Sequence, residues 1–170
     1  MRDFLKILLV VFLLVVSVAF VFNIKINTTN SIDGVLWMGS NKNIEKGDVV
    51  LFCPPPNHPV FQMARERHYL NAGFCPSKTD ALIKKVYAQQ GDVVSINEHG
   101  VFVNGVFLEK SIPKKHDNLG KILPIYRMND FVLENGMLIL IGDNSELSFD
   151  SRYFGIIDES HVQSVLTPLF

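Results

Sequence analysis

Val101-Phe102-Val103-Asn104-Gly105-Val106-Phe107-Leu108 reads as two short runs of β-forming residues joined at Asn-Gly. Asn-Gly between apolar β-formers is the preferred two-residue type I′ turn, because both central residues must adopt positive φ. The octapeptide therefore predicts a β-hairpin. Working outward, similar signals recur in the flanks. Residues 93–96 follow a Gln89-Gln90-Gly91-Asp92 turn, and residues 81–87 precede it. Val49-Val50-Leu51-Phe52 follows Lys46-Gly47-Asp48 and stops at Pro54-Pro55-Pro56, which cannot donate to a β-ladder. Residues 137–141 end at Gly142-Asp143-Asn144, and residues 162–166 form a last apolar run. Residues 57–80 contain Ala64-Arg65-Glu66-Arg67, enough for one or two helical turns, and read as a surface excursion. Residues 110–127 are polar and proline-bearing and read as a mobile connection. No repeat is evident, and no segment beyond residue 22 sustains a helical period. The predicted fold class is mainly β.

The exception is the N-terminus. Residues 4–22, FLKILLVVFLLVVSVAFVF, carry no charge from Ile7 onward. Nineteen helical residues span about 28 Å, close to the hydrocarbon thickness of a bilayer. Arg2 and Lys6 precede the run, which places the N-terminus in the cytoplasm and the remainder outside. A cleaved signal peptide needs small residues at its cleavage site, and Ala19-Phe20-Val21-Phe22-Asn23 is a poor one. The expected organisation is a single-pass anchor at 1–22 in the inner membrane and an exported, periplasmic β domain at 23–170, with a cysteine-flanked excursion at about 53–80. Of the 16 basic and 17 acidic residues, only Arg2, Lys6 and Asp3 lie in the anchor, so the domain is slightly acidic. A chain of this charge is not a nucleic-acid binder acting through phosphate contacts.

An exported domain with two cysteines, Cys53 and Cys75, has a candidate disulfide. A zinc site from Cys53, His58, His68 and Cys75 is the alternative, although the tight C-x2-C pairing of structural zinc is missing. The chain has no GxSxG elbow, no HExxH, no P-loop and no dinucleotide fingerprint, and its five histidines stand in no motif. A serine nucleophile without histidine can use a neutral lysine as its base, provided burial lowers the lysine pKa by several units. Lys84, in Ala81-Leu82-Ile83-Lys84-Lys85-Val86-Tyr87, meets that need. Adjacent lysines on a strand point to opposite faces, so one of Lys84 and Lys85 faces inward if the strand has a buried side. If the strand lies at an edge, both are solvated.

Three segments extend this reading: Ile83-Lys84-Lys85-Val86, then Gly91-Asp92-Val93-Val94, then GDNSELSFDSRYFG from Gly142 to Gly155. In this order they resemble the boxes of the type I signal peptidases, membrane-anchored serine proteases that use a Ser–Lys dyad. The short chain and the stretch Ala64-Arg65-Glu66-Arg67-His68-Tyr69-Leu70, flanked by Phe52-Cys53-Pro54-Pro55 and Gly73-Phe74-Cys75-Pro76, are similar to the conjugative transfer peptidases of the TraF type. The resemblance implies a signal-peptidase-like β domain against the outer face of the membrane.

Residue by residue, the resemblance implies Ser31 as nucleophile, in Asn27-Thr28-Thr29-Asn30-Ser31-Ile32-Asp33-Gly34-Val35-Leu36-Trp37, nine positions beyond the anchor. It implies Lys84 as general base, and Thr29 as the hydroxyl that helps the Ser31 N–H stabilise the oxyanion. Ser148 would orient the lysine ammonium, Asp150 and Arg152 would form an ion pair beside the dyad, and Asp143 would pair with Lys85. The family pattern has proline two residues after the nucleophile and glycine four after it. This chain has Asp33 and Gly34 at +2 and +3, so the loop must bend differently and lacks the φ restraint of proline.

The implied activity is endoproteolysis of a membrane-associated precursor, a pilin-like subunit for conjugative transfer, with no metal and no small-molecule cofactor. Cyclisation of the product is open, since any well-placed amine can capture an acyl-enzyme. The alternatives are a general signal peptidase that removes secretory leaders and a non-enzymatic membrane-anchored β module of a secretion or pilus complex.

Overall fold

A computed structural model describes every residue except Asn30 and Phe170. The chain opens with α1, Arg2–Val21, a 20-residue helix of branched and aromatic apolar residues without proline or glycine. It ends where Asn23 takes φ +49°. None of its side chains is buried against the rest of the chain, and it is long and apolar enough to cross a membrane.

Among the described residues eleven antiparallel strands follow: β1 Ile24–Ile26, β2 Leu36–Ser40, β3 Val49–Phe52, β4 Leu82–Ala88, β5 Val93–Asn97, β6 Gly100–Val103, β7 Val106–Phe107, β8 Met128–Val132, β9 Met137–Ile141, β10 Ile157–Asp158 and β11 Val162–Pro168. They form a seven-stranded sheet in the order β1-β2-β11-β3-β4-β9-β10 and a four-stranded sheet in the order β7-β6-β5-β8. The mainly β class is thus correct. The octapeptide hairpin is β6–β7, with Asn104 at φ +52° and Gly105 at φ +76°, both positive as a type I′ turn requires. The apolar runs at 49–52, 81–87, 93–96, 137–141 and 162–166 are strands to within two residues. β1, β2, β8 and β10 were not predicted. β8 contains Asn129 and Asp130, poor strand formers, and takes its conformation from pairing with β5.

β9 explains why there are two cores. Its sequence, Met-Leu-Ile-Leu-Ile, is apolar throughout because both faces are covered. Leu138 and Leu140 join Val50, Phe52, Val86 and Phe154 in the main core. Ile139 and Ile141 join Val94, Ile96, Val101 and Leu133 in a second core against the smaller sheet. A third cluster, with Ile32, Trp37, Leu51, Ile83 and Leu166, lies beneath the segment that carries Ser31.

The stretch read as a surface excursion is more deeply integrated than that. Its helix α2, Pro59–Glu66, is capped by His58 Nδ1, which accepts from Val60 N at 3.3 Å, and has proline in its first turn. Phe61 and Ala64, three residues apart, form a buried stripe, and Phe61 stacks at 4.8 Å from Phe154 in the main core. The mobile connection at 110–127 has no helix or strand, yet it is fastened to the core. The Lys114 amide donates to Tyr153 Oη at 2.9 Å, and the Tyr126 amide to the Arg152 carbonyl at 2.9 Å.

Cys53, just past β3, is disulfide-bonded to Cys75, which leaves no thiolate for a zinc site. The bond closes a loop of 22 residues around α2. Loop-closure entropy assigns it about 3 kcal/mol. Replacing both cysteines by serine should therefore lower unfolding free energy by about that amount in urea titration, with the m-value raised, because the unfolded chain without the cross-link exposes more surface.

Candidate functional site

β4 places Lys84. It lies centrally in the large sheet, with Val50 of β3 opposite Lys84 and Ile141 of β9 opposite Lys85. Lys84 shares its face with Leu82 and Val86, which belong to the main core, and is only 4% exposed. Lys85 points the other way, as the alternation demands. It donates to Asp143 Oδ2 at 3.0 Å, Tyr87 Oη donates to the same oxygen at 3.0 Å, and the Lys85 ammonium lies 5.4 Å from the Tyr87 ring centroid. Lys85 makes a single point contact where a guanidinium would make a fork. Burial holds the Lys84 ammonium down at about 8, while Asp150 pulls it up and Arg152 pushes it down further.

Asp150 and Arg152 form a fully buried ion pair. Arg152 Nε meets Asp150 Oδ1 and Arg152 NH2 meets Oδ2, both at 2.7 Å. The remaining guanidinium donors reach the carbonyls of Lys110 at 3.1 Å, Glu146 at 3.2 Å and Ser148 at 2.9 Å. All five N–H groups are therefore used. The carboxylate also accepts from the amides of Arg152 and Gly142, and so caps α3, Ser151–Phe154, and pins the end of β9. The pair is thus bidentate and hydrogen-bonded throughout, the condition under which two charges persist without water.

Ser31 lies on the loop between β1 and β2; its neighbour Asn30 lies outside the described residues. The Ser31 carbonyl accepts from the Asn144 amide at 3.2 Å. Ile32 plugs into the cluster with Ile83, beside Lys84. Gly34 takes φ +101°, with the Trp37 ring 3.0 Å from where a Cβ would stand, and Trp37 Nε1 donates to its carbonyl at 3.1 Å. This is how the loop bends with glycine at +3. Gly142 is a second close approach: a Cβ there would strike Ser148 Oγ and come within 3.0 Å of the Ser31 carbonyl. The sequence reading missed Gly142 in this role.

Ser31, Lys84 and Thr29 line one cleft of about 940 Å³, with Cys53 and Cys75 in its wall. Arg67, Tyr69 and Asp117 also line it; Tyr69 Oη donates to Asp117, and Arg67 NH1 to the Ile122 carbonyl at 2.8 Å. Burial, followed by Asp117, raises the Tyr69 hydroxyl pKa. Ser148 makes no hydrogen bond to Lys84. Its hydroxyl is buried and, like that of Ser164, has no hydrogen-bond partner among the described residues. Thr29 Oγ1 donates to Asn27 Oδ1 at 3.0 Å. Asn27 was also missed, although Asn two residues before Thr is a recognisable Asx-turn signal. No cluster of three or more metal-ligating side chains occurs among the described residues.

Residues 1–168 match the family described as signal peptidase, peptidase S26. A plasmid transfer protein TraF of Escherichia coli is 43% identical over 145 residues, 85% of this chain and 81% of its own. A second protein of that name and organism is 41% identical over 157 residues, 92% and 88% of the two chains. Signal peptidase IB of Staphylococcus aureus (strain Mu50 / ATCC 700699) is 30% identical over 100 residues, 52% of each.

Two outcomes follow from the buried charges. Asp150→Asn removes one partner of a dry ion pair and should cost about 3–5 kcal/mol of stability. It should also lower the Lys84 pKa, since Asp150 raises it and Arg152 lowers it. Lys84 has a lower pKa folded than unfolded, so the unfolded chain binds the extra proton between about pH 8 and pH 10, and stability rises with pH across that window. Lys84→Met should accordingly be more stable than the parent at pH 7, by about 2–3 kcal/mol. That gap should narrow towards pH 10, as read by thermal melts at each pH.

Proposed function

The chain belongs to the signal peptidase family, peptidase S26, and on that premise we propose that it is a membrane-anchored serine endopeptidase with Ser31 as nucleophile and Lys84 as general base. The observation that carries the reading is a lysine 4% exposed, on an interior strand of a sheet, lining the same cleft as the loop serine. Burial leaves a large fraction of Lys84 neutral near pH 8, which ordinary lysines are not.

Neutral Lys84 Nζ takes the Ser31 hydroxyl proton as the oxygen attacks the scissile carbonyl. The Ser31 amide and the Thr29 hydroxyl stabilise the oxyanion. The Lys84 ammonium then returns its proton to the departing amine, leaving a Ser31 ester. Water, or an amine of the substrate, resolves that ester with Lys84 again as base. The unpartnered Ser148 hydroxyl accepts from the ammonium whenever Lys84 is charged, and the Asp150–Arg152 pair holds the segment that carries Ser148.

α1 is the anchor, single-pass in the inner membrane with its N-terminus cytoplasmic and residues 23–170 periplasmic. Ser31 lies nine residues beyond the anchor's last residue, so the cleft opens near the bilayer surface, where a membrane-tethered precursor presents its cleavage site. The similarity to proteins named for plasmid transfer supports a precursor of that apparatus, a pilin-like subunit, over general secretory leaders.

Co-expression with the precursor and mass spectrometry of the product tests this. Parent protein should release a defined product, and a further loss of 18 Da would mark closure by the substrate's own amine. Ser31→Ala and Lys84→Ala should each reduce processing by at least about 1,000-fold while remaining folded. Activity should rise with pH through a midpoint near 8, as Lys84 loses its proton, and level off above it. Normal processing by either variant, or a flat profile from pH 6 to 10, removes the dyad.

A further inference from the structure

Asn27 stands at the start of the nucleophile loop and is bonded across it. It is 8% exposed. Its amide N–H donates to the Val35 carbonyl at 2.8 Å, closing the base of the loop. Its side-chain Nδ2 donates to the carbonyls of Ile32 at 2.8 Å and Gly34 at 3.0 Å. Its Oδ1 accepts from the Thr29 amide at 3.0 Å and from the Thr29 hydroxyl at 3.0 Å. Both amide protons and both oxygen lone pairs are therefore engaged, with groups on either side of Ser31. Every one of these bonds stays within residues 27–35.

We propose that Asn27 is a positioning residue for catalysis: its side chain spans the inside of the nucleophile loop, holding the Ser31 backbone and the Thr29 hydroxyl in the arrangement that attack requires. The proposal rests on the reading of Ser31 as nucleophile and deepens it.

The physical case has three parts. First, the loop has Asp33 where proline would restrain φ, and Gly34 at φ +101°, so its backbone is intrinsically permissive. A buried carboxamide with four bonds supplies the restraint from within. Second, Ile32 and Gly34 flank the turn on one side of Ser31 and Thr29 on the other, so a single planar group fixes both approaches to the serine. Third, the Thr29 hydroxyl has one proton, and Asn27 Oδ1 holds it in the free protein. That contact selects the Thr29 rotamer before substrate arrives. On formation of the tetrahedral intermediate the proton turns from Asn27 Oδ1 to the oxyanion, while the Thr29 amide remains bonded to Asn27. Preorganised donors of this kind act without reorganising heavy atoms at the moment of reaction.

Two substitutions separate the halves of the group. Asn27→Ala removes all the side-chain bonds. Asn27→Asp keeps the acceptor for Thr29 but turns a carboxylate oxygen towards the Ile32 and Gly34 carbonyls. Each is measured in the full-length chain in detergent micelles, using a fluorogenic peptide that spans the cleavage site found by mass spectrometry. Both should retain the near-ultraviolet circular dichroism of the parent and lose about 100-fold in kcat, the scale of an ångström misplacement, with KM within about threefold. In Asn27→Ala the midpoint of the pH profile should stay where the parent has it, because no charge near Lys84 is changed. Hydrogen exchange, which needs no substrate, should quicken at residues 28–35 and nowhere in the β core.

A purely structural asparagine would lower the melting temperature while the folded variant kept its kcat. Values of kcat within threefold of the parent, unchanged exchange across 28–35, or collapse of the whole domain rather than the loop each overturn the proposal. If Ser31→Ala itself retains activity, the nucleophile reading fails, and the exchange measurement still decides whether Asn27 holds the loop.

Discussion

The buried pair of Asp150 and Arg152 organises everything around the cleft. Two charges removed from water are tolerated only when geometry and hydrogen bonding compensate for lost hydration. Here that compensation recruits the surroundings. Arg152 needs carbonyls, and it takes them from Lys110, Glu146 and Ser148. Asp150 needs N–H donors, and it takes them from α3 and from Gly142 at the end of β9. One ion pair thereby gathers the connection after β7, the segment carrying Ser148, a helix start and a strand end. Gly142 in turn stands against both Ser148 and the Ser31 carbonyl.

The same pair sets the field at Lys84. A carboxylate alone would draw the lysine towards its charged form, and a guanidinium alone would drive it the other way. Together they oppose each other, so burial is the first cause of the lowered pKa. A lysine held this way weakens the fold at neutral pH, and under the proposed mechanism that is its use: a base is available because its charged form is poorly solvated. Lys85, one residue on, shows the contrast. It sits on the opposite face, half-buried, and is paired with Asp143.

Much of this was legible in the chain. Asn104-Gly105 announced a turn because only certain residues enter the left-handed region cheaply. Alternation told that one of Lys84 and Lys85 faces inward, and the similarity of the boxes told which. The apolar run 137–141 was a plain strand signal. Other features were hidden. α2 looked like part of a surface loop because only two of its eight residues are buried, too few to impose a periodic signature. β8 has an unfavourable sequence and depends on a partner 35 positions away, with Ser95 and Asp130 bonded across the pair. Asn27 was visible as an Asx motif, but its bonds to Ile32 and Gly34 depend on how the loop folds back.

The sequence alone determined the β class, the apolar N-terminal helix, the family's boxes and the candidate dyad, because each is written in local periodicity or contiguous residues. Tertiary structure decided how far Lys84 is dehydrated, what surrounds the Ser148 hydroxyl and which asparagine spans the serine loop. Those are properties of enclosure, and enclosure arises only when strands distant in the chain are brought together and water is excluded between them.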